Sequence, residues 1–318
     1  MHIPDGFLDA KTALATTGLS AVGVAYALRR VRVELPPRRV PLLGLSAAFL
    51  FAAQMVNFPV AGGTSGHLVG AALVAALLGP SAAVVVLATV LIVQCFLFAD
   101  GGILSLGANV FNMGLVATLS GFAVYRTGQR LVPGIRGRVA AMAFAGWCSA
   151  VLASISCAGQ LAWSGTVAWS VALPAMAGVH MLIGVGEGLI SALVLLAVCR
   201  TRPDLLGPVP EMQAAGRARS FVVLGLLASL GVALFVAPFA CSWPDGLEAV
   251  AGKLGFGTRA LAPTANAPLQ NYRIPGLSSV GFATAAAGAI GTLVAFCLAV
   301  ALSRIVVLEN NSPKSSHI

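Results

Sequence analysis

Charged residues are scarce in this sequence: 9% of its 318 residues are Asp, Glu, Lys or Arg, against about a quarter in an ordinary soluble domain. That scarcity excludes a single globular domain facing water on all sides. The six cysteines form no CxxC pair and mostly lie inside apolar runs, where cysteine behaves as a small hydrophobe, so a disulfide framework is not expected. No phosphate-cradling GxxxxGK[ST] is present, because the one Gly-Lys pair, Gly252-Lys253, is followed by Leu254. No HExxH occurs either, so neither ATP hydrolysis nor zinc proteolysis is expected. The start lacks the basic residues of a secretory leader: Asp5 and Asp9 precede the first basic residue, Lys11. With a bulky His2 in second place Met1 is expected to be retained, so that the mature chain begins Met1-His2.

What the sequence has instead is apolar length. Hydrophobic residues make up 58% of it and the mean hydropathy is +0.93. Runs of about 20 apolar residues recur, the length that a bilayer core demands. Seven such stretches fall at about 13–28, 40–58, 68–79, 81–98, 104–125, 139–158 and 176–199, and two more at 220–239 and 279–302. The net charge of +9 does not point to nucleic acid, because fifteen of the nineteen Lys and Arg cluster between or just beyond these runs, around 29–39, 126–138, 200–219 and 304–314. Basic loops on one face are the positive-inside pattern.

That pattern decides one ambiguity. Reading 68–98 as a single helix would put the first two basic clusters on opposite faces; a break at Gly79-Pro80 puts all four on the inside. The first piece is then about 12 residues, roughly 18 Å of helix, and is expected to continue from a loop buried in protein at membrane depth. The expected fold is an all-α integral membrane protein of the cell (inner) membrane. Residues 1–200 form a seven-span helical bundle with its N-terminus outside. A cytoplasmic linker spans 201–219, and 220–318 form a two-span hairpin with an outer loop over 240–278 and a cytoplasmic C-terminus. Trp163 and Trp169, in an outer or interfacial segment at 160–175, are expected in the aromatic belt.

Four histidines are present, and His317 lies in a polar tail with no expected role. A loop histidine alone is most simply a surface or hydrogen-bonded residue. His2 and His67 differ from that case in context: His67 belongs to a Gly-rich loop, AGGTSGHLVG (61–70), and His2 follows a free amino terminus. The amine, the deprotonated amide nitrogen of His2 and His2 Nδ1 close fused five- and six-membered chelate rings. Three nitrogens in one plane leave a fourth position for an imidazole such as that of His67. Square-planar nitrogen coordination selects Ni(II), Cu(II) or low-spin Co(II). Thr64 and Ser65, beside His67, are candidates to hold its second nitrogen. Asn109, Asn112, His180 and Glu187 are further polar residues inside spans, each either a support of the site or an interhelical hydrogen-bonding group.

The segments MHIPDGF at the start, GTSGHL at 63–68, GANVFNMG at 107–114 and HMLIGVGEGLI at 180–190 resemble the CbiM/NikM family, the substrate-binding (S) components of energy-coupling-factor cobalt and nickel importers. PDGLE at 244–248 resembles the small CbiN/NikN component, here fused through the linker. The resemblance covers nearly the whole chain. It implies metal ligands at Met1 (amine), His2 (backbone and side chain) and His67. It implies Ni2+ or Co2+ as transported substrate, Ni2+ slightly favoured, and no organic cofactor. It also implies two partners, a transmembrane coupling component and a pair of cytoplasmic ATPases, with no enzymatic activity in this chain. Other readings are a cobalt-specific subunit of the same type, a proton-coupled secondary metal carrier using Glu187, and an intramembrane metalloenzyme using His180 and Glu187. Because all the expected ligands lie in 1–200, the outer loop is expected to act on metal access or coupling rather than on binding.

The chelate reading predicts that one residue inserted between Met1 and His2 abolishes high-affinity nickel binding. Metal titration of a variant whose N-terminal sequence has been verified checks this, and full-affinity binding by it would discard the site.

Overall fold

Ten helices and one short hairpin make up the described part of the chain, residues 1–205, 211–263 and 266–308 of a computed structural model. The 206–210 part of the linker and the tail with Lys314 and His317 lie outside the described residues. Helix α1 spans Ala10–Glu34 and α2 Val40–Gln54. Strands β1 (Phe58–Val60) and β2 (Thr64–Gly66) pair antiparallel with Pro59 opposite Ser65. Helices α3 (Ala71–Leu78) and α4 (Pro80–Phe98) follow. Helix α5 covers Leu106–Leu131 with a π-helical stretch at Val110–Val116. Next come α6 (Gly134–Trp163) and α7 (Trp169–Thr201). Helix α8 (Glu211–Gly231) is prolonged by a π-helical turn and a 3-10 turn to Phe239. Helix α9 (Gly246–Leu254) lies in the outer loop, and α10 (Val280–Leu308) closes the chain.

The break expected at Gly79-Pro80 is there. Gly79 has φ +90°, a left-handed value, and Pro80 is the first residue of α4, where its missing N–H costs nothing. The short piece before it, α3, is eight residues long. It is buried from Ala71 to Ala75 and preceded by buried irregular backbone over 67–70. Six helices, from α4 to α8 and α10, are long and apolar enough to cross a membrane. The other three expected spans correspond to α1, of 25 residues and lower hydropathy, to α2, of 15, and to α3. The segment at 160–175 is mostly helical: α6 runs to Trp163 and α7 starts at Trp169, leaving 164–168 as the connection, with both indoles exposed.

Small residues let these helices approach closely. A Cβ on Gly188 of α7 would lie 2.3 Å from the Ala143 carbonyl oxygen of α6, and one on Gly146 would lie 3.0 Å from Gly188 Cα. The C-terminal hairpin is packed onto the same core. Phe51 of α2 fills the space above Gly291 of α10, and Val300 and Phe296 of α10 abut Gly44 of α2. Leu43, Ala47 and Phe51 therefore share one apolar cluster with Ala287, Ala295 and Ala299.

Replacing Gly188 by Leu inserts four carbons where helix backbone already stands. Overpacking of this kind costs about 1–3 kcal/mol, so Gly188→Leu is expected to lower the unfolding midpoint of the detergent-solubilised protein. Gly178→Leu, at a position with nothing within 4 Å, should leave that midpoint unchanged in the same thermal scan.

Candidate metal site

The first nine residues thread into the bundle instead of fraying. Met1, Ile3, Asp5 and Phe7 are buried and the residues between them are half-buried, so one side of an extended segment faces the protein. Asn109 grips the backbone of Ile3 from both ends, its Oδ1 accepting from Ile3 N at 2.8 Å and its Nδ2 donating to Ile3 O at 3.2 Å. Asp5 Oδ1 accepts from the backbone N–H groups of Leu104 and Ser105 at 2.9 and 3.2 Å. Thr166, in the α6–α7 connection, donates to Phe7 O at 2.5 Å. Gly6 has φ +92°, and a Cβ there would meet the Arg259 carbonyl oxygen at 2.1 Å, so the turn that starts α1 tolerates only glycine. Asp9 then caps α1 by accepting from Thr12 N.

This threading delivers the terminal amine to His67. Met1 N donates to His67 Nε2 at 2.8 Å, and it pairs with Asp245 Oδ2 at 2.8 Å. The His2 and His67 rings stack with centroids 5.3 Å apart and an interplanar angle of 26°. The three expected metal-site residues are therefore brought together from opposite ends of 66 residues of sequence. His2 Nδ1 faces Asp100 Oδ1 at 3.2 Å, and its Nε2 faces Gln94 Oε1 at 3.1 Å. The Gln94 amide donates to Gln54 Oε1 at 2.9 Å, and Gln54 donates to the Val69 carbonyl at 3.2 Å. A hydrogen-bonded chain through α4 and α2 thus links His2 back to the loop that carries His67. Tyr272 of the outer loop donates to Asp100 Oδ2 at 2.5 Å and stacks on Phe98 at 4.6 Å.

Burial lowers the pKa of both imidazoles. For His67 the ammonium and His2 add to the effect and hold it well below the ordinary value; for His2 burial outweighs the attraction of Asp100. These shifts favour the neutral ring, the form that binds metal. Burial alone would raise Asp245, but the ammonium beside it draws its carboxyl well below the usual carboxylate range. Burial and Asp100 push the Tyr272 hydroxyl well above its ordinary value, so it stays a donor. A cavity of about 530 Å³, lined by His2, His67, Asp100, Asp245, Glu248 and Tyr272 among others, opens beside the two rings. Among the described residues no three His, Cys, Asp or Glu side chains converge to hold an ion.

The remaining expected residues separate into two groups. Glu187, fully buried on α7, accepts from Val69 N at 2.5 Å and Gly70 N at 2.8 Å, so it fixes the backbone just after His67. His180 Nδ1 donates to Met176 O at 2.8 Å, and its ring packs against Gly246, where a Cβ would lie 2.7 Å from Cε1. Asn112 is not at the site: it makes a two-way amide pair with Gln160 and accepts from Ser156, tying α5 to α6. Thr64 and Ser65 do not support the His67 ring as expected. His67 Nδ1 faces the Leu68 carbonyl at 3.3 Å, Ser65 Oγ donates to Trp243 O, and Thr64 Oγ1 has no hydrogen-bond partner. The reason is that Ser65 is taken up by the outer loop, its N–H and hydroxyl both donating to the Trp243–Pro244 backbone.

Asp100, Gln94, Gln54, Asp245 and Tyr272 were not among the expected residues. Gln54 and Gln94 were readable as amides inside apolar spans, which carry a burial cost unless paired. Asp100 and Asp245 were readable only as loop acids.

Residues 2–205 match the family described as cobalt uptake substrate-specific transmembrane region, CbiM, and residues 219–308 match the PDGLE domain. A protein of Archaeoglobus fulgidus proposed to be a fused nickel transport protein, NikMN, is 37% identical over 96% of this chain and 98% of its own. A fused nickel transport protein of Rhodobacter capsulatus is 35% identical over 65% of this chain and 64% of its own. A cobalt transport protein CbiM of Pelobacter propionicus is 33% identical over 65% of this chain and 94% of its own. The crystal structure of a transition metal transporter, 30% identical, superposes with a TM-score of 0.59 over 70% of this chain and 99% of that one.

Removing the Glu187 carboxylate strands two buried N–H groups, each worth about 1–3 kcal/mol. Glu187→Ala is therefore expected to speed amide exchange over 67–70 and to weaken metal binding through His67. Hydrogen exchange of the metal-free protein checks the first effect and metal titration the second.

Proposed function

Since the chain belongs to the CbiM family and is a multi-pass membrane protein for nickel or cobalt transport, we propose that it is the substrate-binding subunit of an ATP-driven importer of the energy-coupling-factor class. It takes Ni2+ or Co2+ from outside into a square-planar nitrogen site. The observation that carries this reading is the 2.8 Å approach of the Met1 amine to His67 Nε2, with the His2 ring stacked alongside. The ligands are the Met1 amine, the His2 amide nitrogen, His2 Nδ1 and His67 Nε2. Without metal, each of the three groups is held by another partner: the amine by Asp245, His2 by Asp100 and Gln94, and His67 by the amine. Loading breaks the contact between the amine and His67 and turns His2 Nδ1 from Asp100 to the ion, and the adjoining cavity is the way in.

Two further observations support the orientation and the cargo. The connections that meet residues 1–9, namely 99–105, 164–168 and the outer loop, are not the ones carrying the basic clusters, which supports a site on the outside with the clusters in the cytoplasm. The relative matched over 96% of the chain is proposed to carry nickel, and square-planar coordination through an amide nitrogen suits Ni2+, which favours nickel over cobalt. With no phosphate cradle in the sequence, the energy comes from partners, a transmembrane coupling component and a cytoplasmic ATPase pair. Both Glu187 oxygens already accept backbone N–H groups, which argues against that residue as a proton carrier.

His2→Ala is expected to abolish tight binding, because it removes a nitrogen from the fused chelate. His67→Ala should leave a weaker three-nitrogen site with water in fourth place. Titration with Ni2+, read by the square-planar absorption band, separates these outcomes, and normal binding by both variants would move the site elsewhere. The same titrations across pH carry a sign. Each ligand nitrogen must give up its proton to bind the ion, so affinity is expected to rise with pH. A pH-independent affinity would contradict amide coordination.

A further inference from the structure

We infer that Asp245, in the outer loop of the C-terminal hairpin, is a positioning residue of the metal site, its carboxylate holding the Met1 amine both before and after the ion binds. This rests on the nitrogen site proposed above. The two oxygens of Asp245 have separate tasks. Oδ1 accepts from Leu247 N at 2.8 Å and Glu248 N at 2.9 Å, capping α9, while Glu248 Oε2 accepts in return from Asp245 N. Oδ2 is left to face the amine at 2.8 Å. The carboxylate is therefore fixed by the helix it caps and does not follow the amine about.

Its place is set a second time by the loop that carries His67. Ser65 N donates to Pro244 O at 2.8 Å, and Ser65 Oγ donates to Trp243 O at 2.7 Å. The residues just before Asp245 are thus tied to β2, two positions ahead of His67. Gly246, just after Asp245, lies so close to His180 and Ile183 that a Cβ would come within 2.7 and 2.8 Å of them. The amine, His67 and Asp245 form one rigid cluster, built from the N-terminus, the β2 loop and the hairpin.

The charge balance explains why a carboxylate belongs there. The Met1 and Asp245 side chains are 4% and 15% exposed, so net charge at this point is poorly solvated. Asp245 is the countercharge that the buried ammonium faces at 2.8 Å, and a dication arriving beside it keeps that negative neighbour. The coordinated amine keeps two N–H bonds, and one of them still points to Oδ2. A partner of this kind orients a ligand without joining the ligand set.

The test is Ni2+ titration of the full-length protein in detergent, followed by the square-planar absorption band. Asp245→Asn keeps an oxygen able to cap α9 but removes the charge from the amine. It is expected to bind about ten- to hundredfold more weakly, the usual cost of losing such a partner, with the band unmoved. Asp245→Ser, which still caps but is too short to reach the amine, should lose at least as much. Wild-type affinity in Asp245→Asn or Asp245→Ser would overturn the inference, and so would a displaced band, which would make Asp245 a ligand. If the parent protein shows no square-planar band and His67→Ala binds normally, the nitrogen site itself falls and takes this inference with it. Failure in the Asp245 variants alone leaves that site standing.

Discussion

The terminal ammonium of Met1 is buried, and a buried charge needs a partner of opposite sign and groups that hold both in place. Much of the outer half of the structure serves that need. Asp245 supplies the countercharge at 2.8 Å, and His67 supplies an acceptor at the same distance. Asn109, Asp5, Ser105 and Thr166 pin the following residues so that the amine cannot withdraw to water. The arrangement is costly to build and therefore specific: a proton-bearing amine occupies the place where a metal ion would find its first nitrogen.

Around that pair the polar side chains form connected paths, as low-dielectric surroundings require. One path runs from His2 through Gln94 and Gln54 to the Val69 carbonyl, and Glu187 takes the Val69 and Gly70 N–H groups. The loop after β2 thus has its buried backbone groups satisfied from α2 and α7. A second path runs from His2 through Asp100 to Tyr272. Both end on elements that pack against α2, so the two metal-facing histidines share one scaffold.

The C-terminal hairpin is joined to this scaffold at both ends of its reach. In the apolar layer α10 fits its glycine and alanine face against Phe51 and Gly44 of α2. At the outer surface its loop delivers Asp245 and Tyr272 to the histidine partners. The proposed ligands all lie within 1–200, but the carboxylate paired with the amine, Asp245, comes from beyond residue 240. Binding and hairpin function are therefore coupled through one carboxylate.

The sequence alone determined the membrane class, because 9% charge and repeated apolar runs leave no aqueous solution for the chain. It also determined the break at Gly79-Pro80, which backbone chemistry dictates locally, and the adjacency of His2 to Met1 on which the chelate reading rests. That His67 completes this group was legible only as a chelate with one position to fill and as a family resemblance. The tertiary structure decided which acids and amides surround it. Gln54, Gln94, Asp100, Asp245 and Tyr272 come from four separate segments, and no local pattern says which loop acid reaches the amine. It also decided that Ser65 turns to Trp243 rather than to His67, and that Asn112 joins two helices through Gln160. Those outcomes depend on which groups packing brings within reach, and that is fixed by contacts across long stretches of chain and not by neighbours in sequence.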